Sequence, residues 1–296
     1  MSRYFAIAGV QTTIIPGDTK GNMLKMERFI ENISTAFPWV DMICFSEFCV
    51  TGFNPVTWKE QAEPIPGATT DRFCEIAKEN RKWLLPGSMF EADGDKIYNS
   101  AVVISPEGKI TAKYRKMFPW TPLELTTPGD KFCVFDIPSA GRFGLCICYD
   151  AWFPEVTRTL AWMGAEVVLH PAMTPSSAAS LEIVLNRANA IFNQCYIISI
   201  GGVGTHGALT LAGHSMVVDP EGRVLQEMGE SEALMIEILD LDNVIKAREY
   251  GTIGLGPFLK HLREYHHDFP VYKELEKGEV YKTLSGIKVH GKIRSL

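Results

Sequence analysis

An internal echo constrains the fold most. Val102-Val103-Ile104-Ser105-Pro106-Glu107-Gly108-Lys109 resembles Val217-Val218-Asp219-Pro220-Glu221-Gly222-Arg223. Each runs from an apolar β-branched stretch through a Pro-Glu-Gly turn to a basic residue, as a hairpin would. Each lies in a half of the chain where strands alternate with helices. Two such halves predict two related sheets packed together, an α/β protein with four layers in the order αββα.

Periodicity supplies the elements. Strands are expected over 4–10, 40–45, 83–90, 96–104, 109–114, 132–137, 142–147, 166–169, 195–200, 213–218, 223–228 and 233–238. Helices are expected from 18 or 19 to 35 and over 70–80, 177–193 and 242–248. Residues 51–55 and the Pro- and Thr-rich stretch 115–130 read as loops, and a loop as long as the second is usually functional. Gly201-Gly202-Val203-Gly204 lacks the strand-turn-helix setting of a phosphate-binding loop and reads as a flexible loop. No low-complexity linker divides the chain. One domain is therefore expected over 1–253, followed by an extended C-terminal tail over 254–296. That tail carries Phe258, Leu262, Tyr265, Phe269 and Tyr272, too many apolar groups to hang free. It is expected to pack on a neighbouring subunit, which predicts a homo-oligomer.

Composition narrows the class. The net charge is −6 and no basic stripe is interleaved with aromatics, which argues against a nucleic-acid partner. No apolar run is long enough to span a bilayer, so no membrane partner is expected. The N-terminus enters a strand pattern without a signal peptide's apolar region. Seven scattered cysteines, an odd number, fit reduced thiols and a cytoplasmic location. Cysteine and histidine spacing supports no metal site.

One of those cysteines stands apart. In Gly144-Leu145-Cys146-Ile147-Cys148-Tyr149-Asp150-Ala151-Trp152-Phe153-Pro154-Glu155 an apolar strand gives way to a helix start. Asp150 reads as an N-cap and the helix runs to residue 163. Cys148 then sits on the bend, near the positive end of a helix dipole that favours thiolate. Cys146 is mid-strand and reads as packing. Glu47 closes another buried strand and Lys116 follows a third. Ligands gather at the carboxyl ends of strands, so a Glu, a Lys and a Cys placed there can share one pocket. That trio supplies a base, a positive group for an oxyanion and a nucleophile.

These stretches resemble the nitrilase (carbon–nitrogen hydrolase) superfamily. The matching motifs are Phe45-Ser46-Glu47-Phe48, Tyr114-Arg115-Lys116, Ile147-Cys148-Tyr149-Asp150 and Phe153-Pro154-Glu155. Pro128-Gly129-Asp130, Arg187-Ala188-Asn189-Ala190 and Gly213-His214-Ser215 add to them in family order. The resemblance implies an αββα sandwich, oligomers stapled by C-terminal tails, and hydrolysis of non-peptide C–N bonds without metal or cofactor. It implies Glu47 as general base and Cys148 as nucleophile. Lys116 and the Tyr149 backbone N–H would stabilise the tetrahedral intermediate, and Glu124 would be the second glutamate. His170, His206 and His214 are expected to be structural or pocket-lining.

Cys148-Tyr149-Asp150 is similar to the amidase branches. Ala151-Trp152 stand where carbamoyl-amino-acid hydrolases carry carboxylate-gripping arginines. Trp120, Phe118, Trp152 and Tyr149 are expected to build an aromatic pocket, with Phe53 and Met173 as further substrate contacts. The expected activity is release of ammonia from a neutral carboxamide, a small-molecule substrate. A carbamoyl amidohydrolase, a nitrilase, a thioester acyltransferase and, least favoured, a binding protein on this scaffold are the alternatives.

Overall fold

Alternate residues of the first strand face two different cores. In β1 (Tyr4–Gln11), Phe5 and Ile7 enter one apolar cluster, while Ala8 and Val10 enter another. A strand apolar on both faces belongs inside a sheet with layers above and below it. The structure, a computed structural model, describes residues 3–54, 57–206 and 209–284 and the short strands Lys288–Val289 and Lys292–Ile293. Pro55 of the expected loop, and the tail past 284 apart from those strands, lie outside the described residues.

The first half continues with α1 (Thr19–Ala36), β2 (Met42–Phe45), α2 (Ala68–Asn80), β3 (Trp83–Leu85), β4 (Ser88–Asp93), β5 (Lys96–Ile104) and β6 (Ile110–Arg115). Asp18 caps α1 by accepting from the Gly21 N–H at 2.9 Å. Met26, Ile30 and Ile33, spaced for one helix face, bury against the sheet. The second half holds β7 (Cys133–Ile137), β8 (Gly141–Leu145), α3 (Pro154–Trp162), β9 (Val167–Ala172), α4 (Ala179–Asn193), β10 (Tyr196–Gly201), β11 (Val203–His206), β12 (Leu209–Ala212), β13 (Met216–Val218) and β14 (Val224–Glu227). Then β15 (Ala233–Asp240) returns to the first sheet, antiparallel to β1, before α5 (Asp242–Tyr250), α6 (Phe258–Glu264) and α7 (Pro270–Lys273).

The expected repeat is present. One sheet has the order β15-β1-β2-β3-β5-β4 with β6 on β5; the other has β14-β13-β10-β9-β8-β7. In each, three parallel strands (β1-β2-β3 and β8-β9-β10) lead to an antiparallel hairpin, β5–β6 or β13–β14. Both hairpins carry a register irregularity before the turn, at Val103/Ile104 and Val217/Val218. Their turns close alike, Gly108 N–H to Ser105 O and Gly222 N–H to Asp219 O, each at 2.9 Å. Between the sheets pack Ile7, Leu85, Val103, Phe143, Leu169 and Ile198. Helices α1 and α2 cover one outer face, and α3 and α4 the other. This is the four-layer αββα sandwich.

Four local expectations need correction. The strand over 83–90 is two strands, because Pro86 has no N–H to donate and Gly87 turns at φ +79°. A Cβ at Gly87 would stand 1.8 Å from the Ser46 carbonyl oxygen, so only glycine lets the chain pass this close. Gly201–Gly204 is not a flexible loop: β11 starts at Val203 and pairs with β12. The helix after Cys148 is a 3₁₀ turn, Cys148–Trp152, followed by α3 from Pro154. The tail is not extended throughout, since α6 lies in it. Among the described residues, no helix is long and apolar enough to cross a membrane.

Candidate active site

Three chain segments leave the two sheets toward one point. Glu47 follows β2, in a bend where Phe48 takes φ +51°. Lys116 follows β6, and its backbone N–H still bonds the Asn99 carbonyl of β5 at 2.8 Å. Gly129 N–H returns to the Lys116 carbonyl at 2.8 Å, so the long loop is clamped at both ends of the turn it makes. Cys148 follows β8 at φ +46°.

Lys116 Nζ donates to Glu47 Oε1 at 2.8 Å and to Glu124 Oε2 at 2.6 Å. Asn99 Nδ2 joins the same two carboxylates from the other side, at 2.8 Å to Glu47 Oε1 and 2.9 Å to Glu124 Oε1. Thr126 Oγ1 and the Trp120 N–H also donate to Glu124, at 3.0 and 3.1 Å. All three charged side chains are buried, and burial of such groups demands this degree of pairing. Burial works against the Lys116 ammonium, but Glu124 and Glu47 outweigh it and hold its pKa well above the ordinary value.

Cys148 faces this network. Burial first, then the Glu47 carboxylate, pushes its thiol well up, against an opposing pull from Lys116. The thiolate-favouring dipole expected from sequence is therefore corrected: α3 begins only at Pro154, with Phe153 at its cap. Asp150 is likewise not that helix's N-cap. Its carboxylate accepts from Tyr114 OH at 2.7 Å, Phe118 N–H at 2.9 Å and Ile147 N–H at 3.0 Å. It fastens the Cys148 turn to the strand and loop that carry Lys116. Burial pushes the Asp150 carboxyl up to about 6. Asn189 holds the far end of the turn, its Nδ2 donating to the Ala151 carbonyl at 2.8 Å. His170 Nε2 donates to the Cys148 carbonyl at 3.0 Å, since that oxygen can only accept.

The neighbouring basic residues point elsewhere. Lys113 and Arg115 both pair with the buried Glu91, at 2.7 and 2.6 Å. Burial pushes the Glu91 carboxyl up, but Arg115, Lys113 and Ser100 outweigh it and hold the carboxyl at about 2 against an ordinary 4.5. A carboxyl depressed in the folded state stabilises the fold fully above its unfolded value and loses that contribution as pH falls toward about 2. Glu91→Gln is therefore expected to lower the urea midpoint at pH 7, with the gap to wild type narrowing at pH 3. A gap that widens on acidification would show the ion cluster to be unimportant.

Two spaces share Cys148 as a wall. The inner one is tight: Glu47, Lys116 and Glu124 stand opposite Phe48, Phe53, Met173 and Leu209. The outer one, a cavity of about 220 Å³, is walled by Tyr149, Trp152, Thr174, Pro175 and Ala178, and Trp120 borders both. The structure thus places Glu47, Lys116, Glu124, Cys148, Phe53 and Met173 around the inner space, with Tyr149 and Trp152 in the outer and Trp120 between. Phe118 is the exception: it stacks on Phe153 at 3.7 Å and packs under α3, outside both spaces. Cys146 packs in that same cluster, as expected. His206 Nδ1 meets the Phe53 N–H at 3.4 Å, and His214 pairs with Glu227.

Sequence reasoning missed Asn99, Thr126, Thr174 and the partners that the Asp150 carboxylate holds. Asn99 left a signal, since it and Ser100 are the polar residues in the buried run 98–104 of β5, and a buried amide there needs partners.

Residues 6–249 match the family model described as carbon-nitrogen hydrolase. Omega-amidase NIT2 of Pongo abelii is 35% identical over 218 residues, which cover 70% of this chain and 77% of that protein. Formamidase of Bacillus cereus is 33% identical over 200 residues, covering 66% of this chain but only 60% of the formamidase. Among solved structures, Nit3 of Saccharomyces cerevisiae, a member of branch 10 of the nitrilase superfamily, aligns with a TM-score of 0.78 at 27% identity. That alignment covers 84% of this chain and 94% of Nit3. With the αββα sandwich and a match over most of its length, this chain belongs to the carbon-nitrogen hydrolase family.

Proposed function

We propose that the protein is an amidase that hydrolyses a neutral carboxamide to a carboxylic acid and ammonia through a thioester on Cys148. The observation that carries this reading is the buried Glu47–Lys116–Glu124 network, which faces the thiol across a single cavity. The names of the relatives, an omega-amidase and a formamidase, point the same way.

In the first half-reaction Glu47 takes the thiol proton as Cys148 Sγ attacks the amide carbon. The thiol is held neutral at rest by burial, so proton transfer and attack proceed together. The oxygen of the tetrahedral intermediate is met by the Lys116 ammonium and the Tyr149 backbone N–H. Glu47 returns the proton to the leaving nitrogen, the C–N bond breaks and ammonia departs. In the second half-reaction Glu47 takes a proton from water, and the hydroxide adds to the thioester carbon. The C–S bond breaks, the proton returns to sulfur, and the acid is released. Glu124, fixed by Asn99, Thr126 and the Trp120 N–H, holds Lys116 in line throughout.

The pocket chemistry supports a neutral acyl group. Among the described residues the outer cavity is lined by no lysine or arginine that would grip a substrate carboxylate. Ammonia release from aliphatic amides, aryl amides, a nitrile and carbamoyl-amino acids tests this. Turnover of neutral amides is the expected result. Turnover confined to the nitrile or the carbamoyl acids would overturn it, and acyl transfer to hydroxylamine with no hydrolysis would make the protein an acyltransferase.

A further inference from the structure

Behind the outer cavity runs a chain of buried polar groups that the proposed chemistry leaves unused. Trp152 lines the cavity, and its indole N–H donates to Glu182 Oε2 at 2.7 Å. Glu182 Oε1 lies 3.4 Å from His170 Nε2, the nitrogen that donates to the Cys148 carbonyl. Glu182 projects from the first turn of α4 and is 7% exposed, while His170 is fully buried. One carboxylate thus holds the wall of the cavity through Oε2, while its Oε1 has no hydrogen-bond partner among the described residues and stands beside the histidine that holds the Cys148 turn. A carboxylate is an expensive group to bury, and an apolar residue would fill this helix position at lower free energy. What the carboxylate adds is direction: a charged acceptor fixes the rotation of a large flat indole that packing alone would leave free to pivot.

The cavity that Trp152 bounds has a definite chemistry. Its walls include the rings of Trp120, Tyr149 and Trp152, with Pro175 and Ala178 beside them. The Thr174 hydroxyl is buried and, among the described residues, has no hydrogen-bond partner. At about 220 Å³ the space exceeds the roughly 150 Å³ of an apolar cavity that admits benzene. Aromatic walls receive a ring in offset or edge-on stacking, for which they must be held at a set tilt. The buried Glu182 carboxyl behind the wall disfavours an anionic substituent.

We propose that Glu182 is a positioning residue that holds Trp152 as one wall of an acyl chamber, and that this chamber takes a neutral amide whose acyl group ends in a flat, uncharged ring. The kinetic part rests on the amidase reading; the binding part does not. Phenylacetamide and acetamide are the probes.

Wild type is expected to favour phenylacetamide over acetamide in kcat/KM by about tenfold or more. Glu182→Leu should lower kcat/KM for phenylacetamide by about tenfold, through KM, with acetamide within about threefold. Glu182→Gln, whose amide oxygen still accepts the indole N–H, should restore most of the preference. A general structural role would lower both substrates alike, and that result would overturn the positioning role. Should Glu182→Leu fail to fold, Trp152→Phe removes the indole donor with Glu182 in place and is expected to give the same loss of preference; an unchanged ratio would overturn the proposal.

Binding to Cys148→Ala protein, measured by calorimetry, is independent of turnover. Phenylacetamide is expected to bind about tenfold tighter than acetamide, in line with a buried ring's apolar surface. Equal affinities would overturn the chamber. If no amide is hydrolysed by wild type while the ring-bearing amide binds preferentially, the amidase reading falls and the chamber stands.

Discussion

Replacing Cys148 by alanine is expected to reduce ammonia release by about ten-thousand-fold or more while leaving the fold intact. The two effects separate because of where the thiol sits. Among the described residues it makes no ion pair, and the turn that presents it is held by Asp150, Asn189 and His170, none of which needs the sulfur. Losing one buried sulfur atom costs about 1 kcal/mol of stability, far less than unfolding requires. The reaction, by contrast, loses the atom that forms the covalent bond. Wild type mixed with a slow amide should gain the mass of the acyl group; the alanine protein should not. Acyl mass on the alanine protein, or turnover within tenfold of wild type, would remove Cys148 from the mechanism.

Replacing Lys116 by methionine is expected to damage both properties. Methionine matches the length of the side chain but leaves Glu47 and Glu124 as buried carboxylates facing each other with only Asn99 between them. Breaking a buried ion pair from one side costs about 3–5 kcal/mol. Loss of the charge that meets the oxyanion removes a further two to three orders of magnitude in kcat, by the usual worth of such a group. The urea midpoint of the variant should fall well below wild type at pH 7. If the variant were as stable as wild type at pH 7, the network would not be an ionic one, and Lys116 would have to act through some other contact.

The sequence carried the large features of the fold because they depend on periodicity. Apolar residues alternating into two cores define β1, and the spacing of Met26, Ile30 and Ile33 defines the buried face of α1. The repeated Pro-Glu-Gly turns foretold matched hairpins, and the structure adds that both share an irregular register. What escaped were features set by one tertiary contact. Gly87 breaks a strand because the Ser46 carbonyl stands beside it, and Ser46 is distant in sequence. Asp150 looks like a helix cap until Tyr114 and Phe118 claim its carboxylate. The site behaved likewise. Glu47, Lys116 and Cys148 each follow a strand and were legible there. Asn99 joins Glu47 to Glu124 across 52 and 25 residues of chain, and no local pattern encodes such a bridge. Phe118 misled because aromatic residues suit a pocket and a core equally, and only packing against Phe153 decides.

The double grip of Lys116 fixes the charge inventory of the site. Two carboxylates and one ammonium leave a single negative charge beside a neutral thiol. Moving the thiol proton to Glu47 keeps that total, as does passing it on to the departing nitrogen, so a dry pocket can run the proposed acylation without taking up or shedding a net charge. The product breaks this balance. Once the released acid ionises, it becomes an anion next to an anionic site, and the repulsion that a neutral amide never feels favours its departure. The same residues that prepare the thiol would then expel the finished acid, making hydrolysis self-clearing and leaving acids weak inhibitors of their own formation.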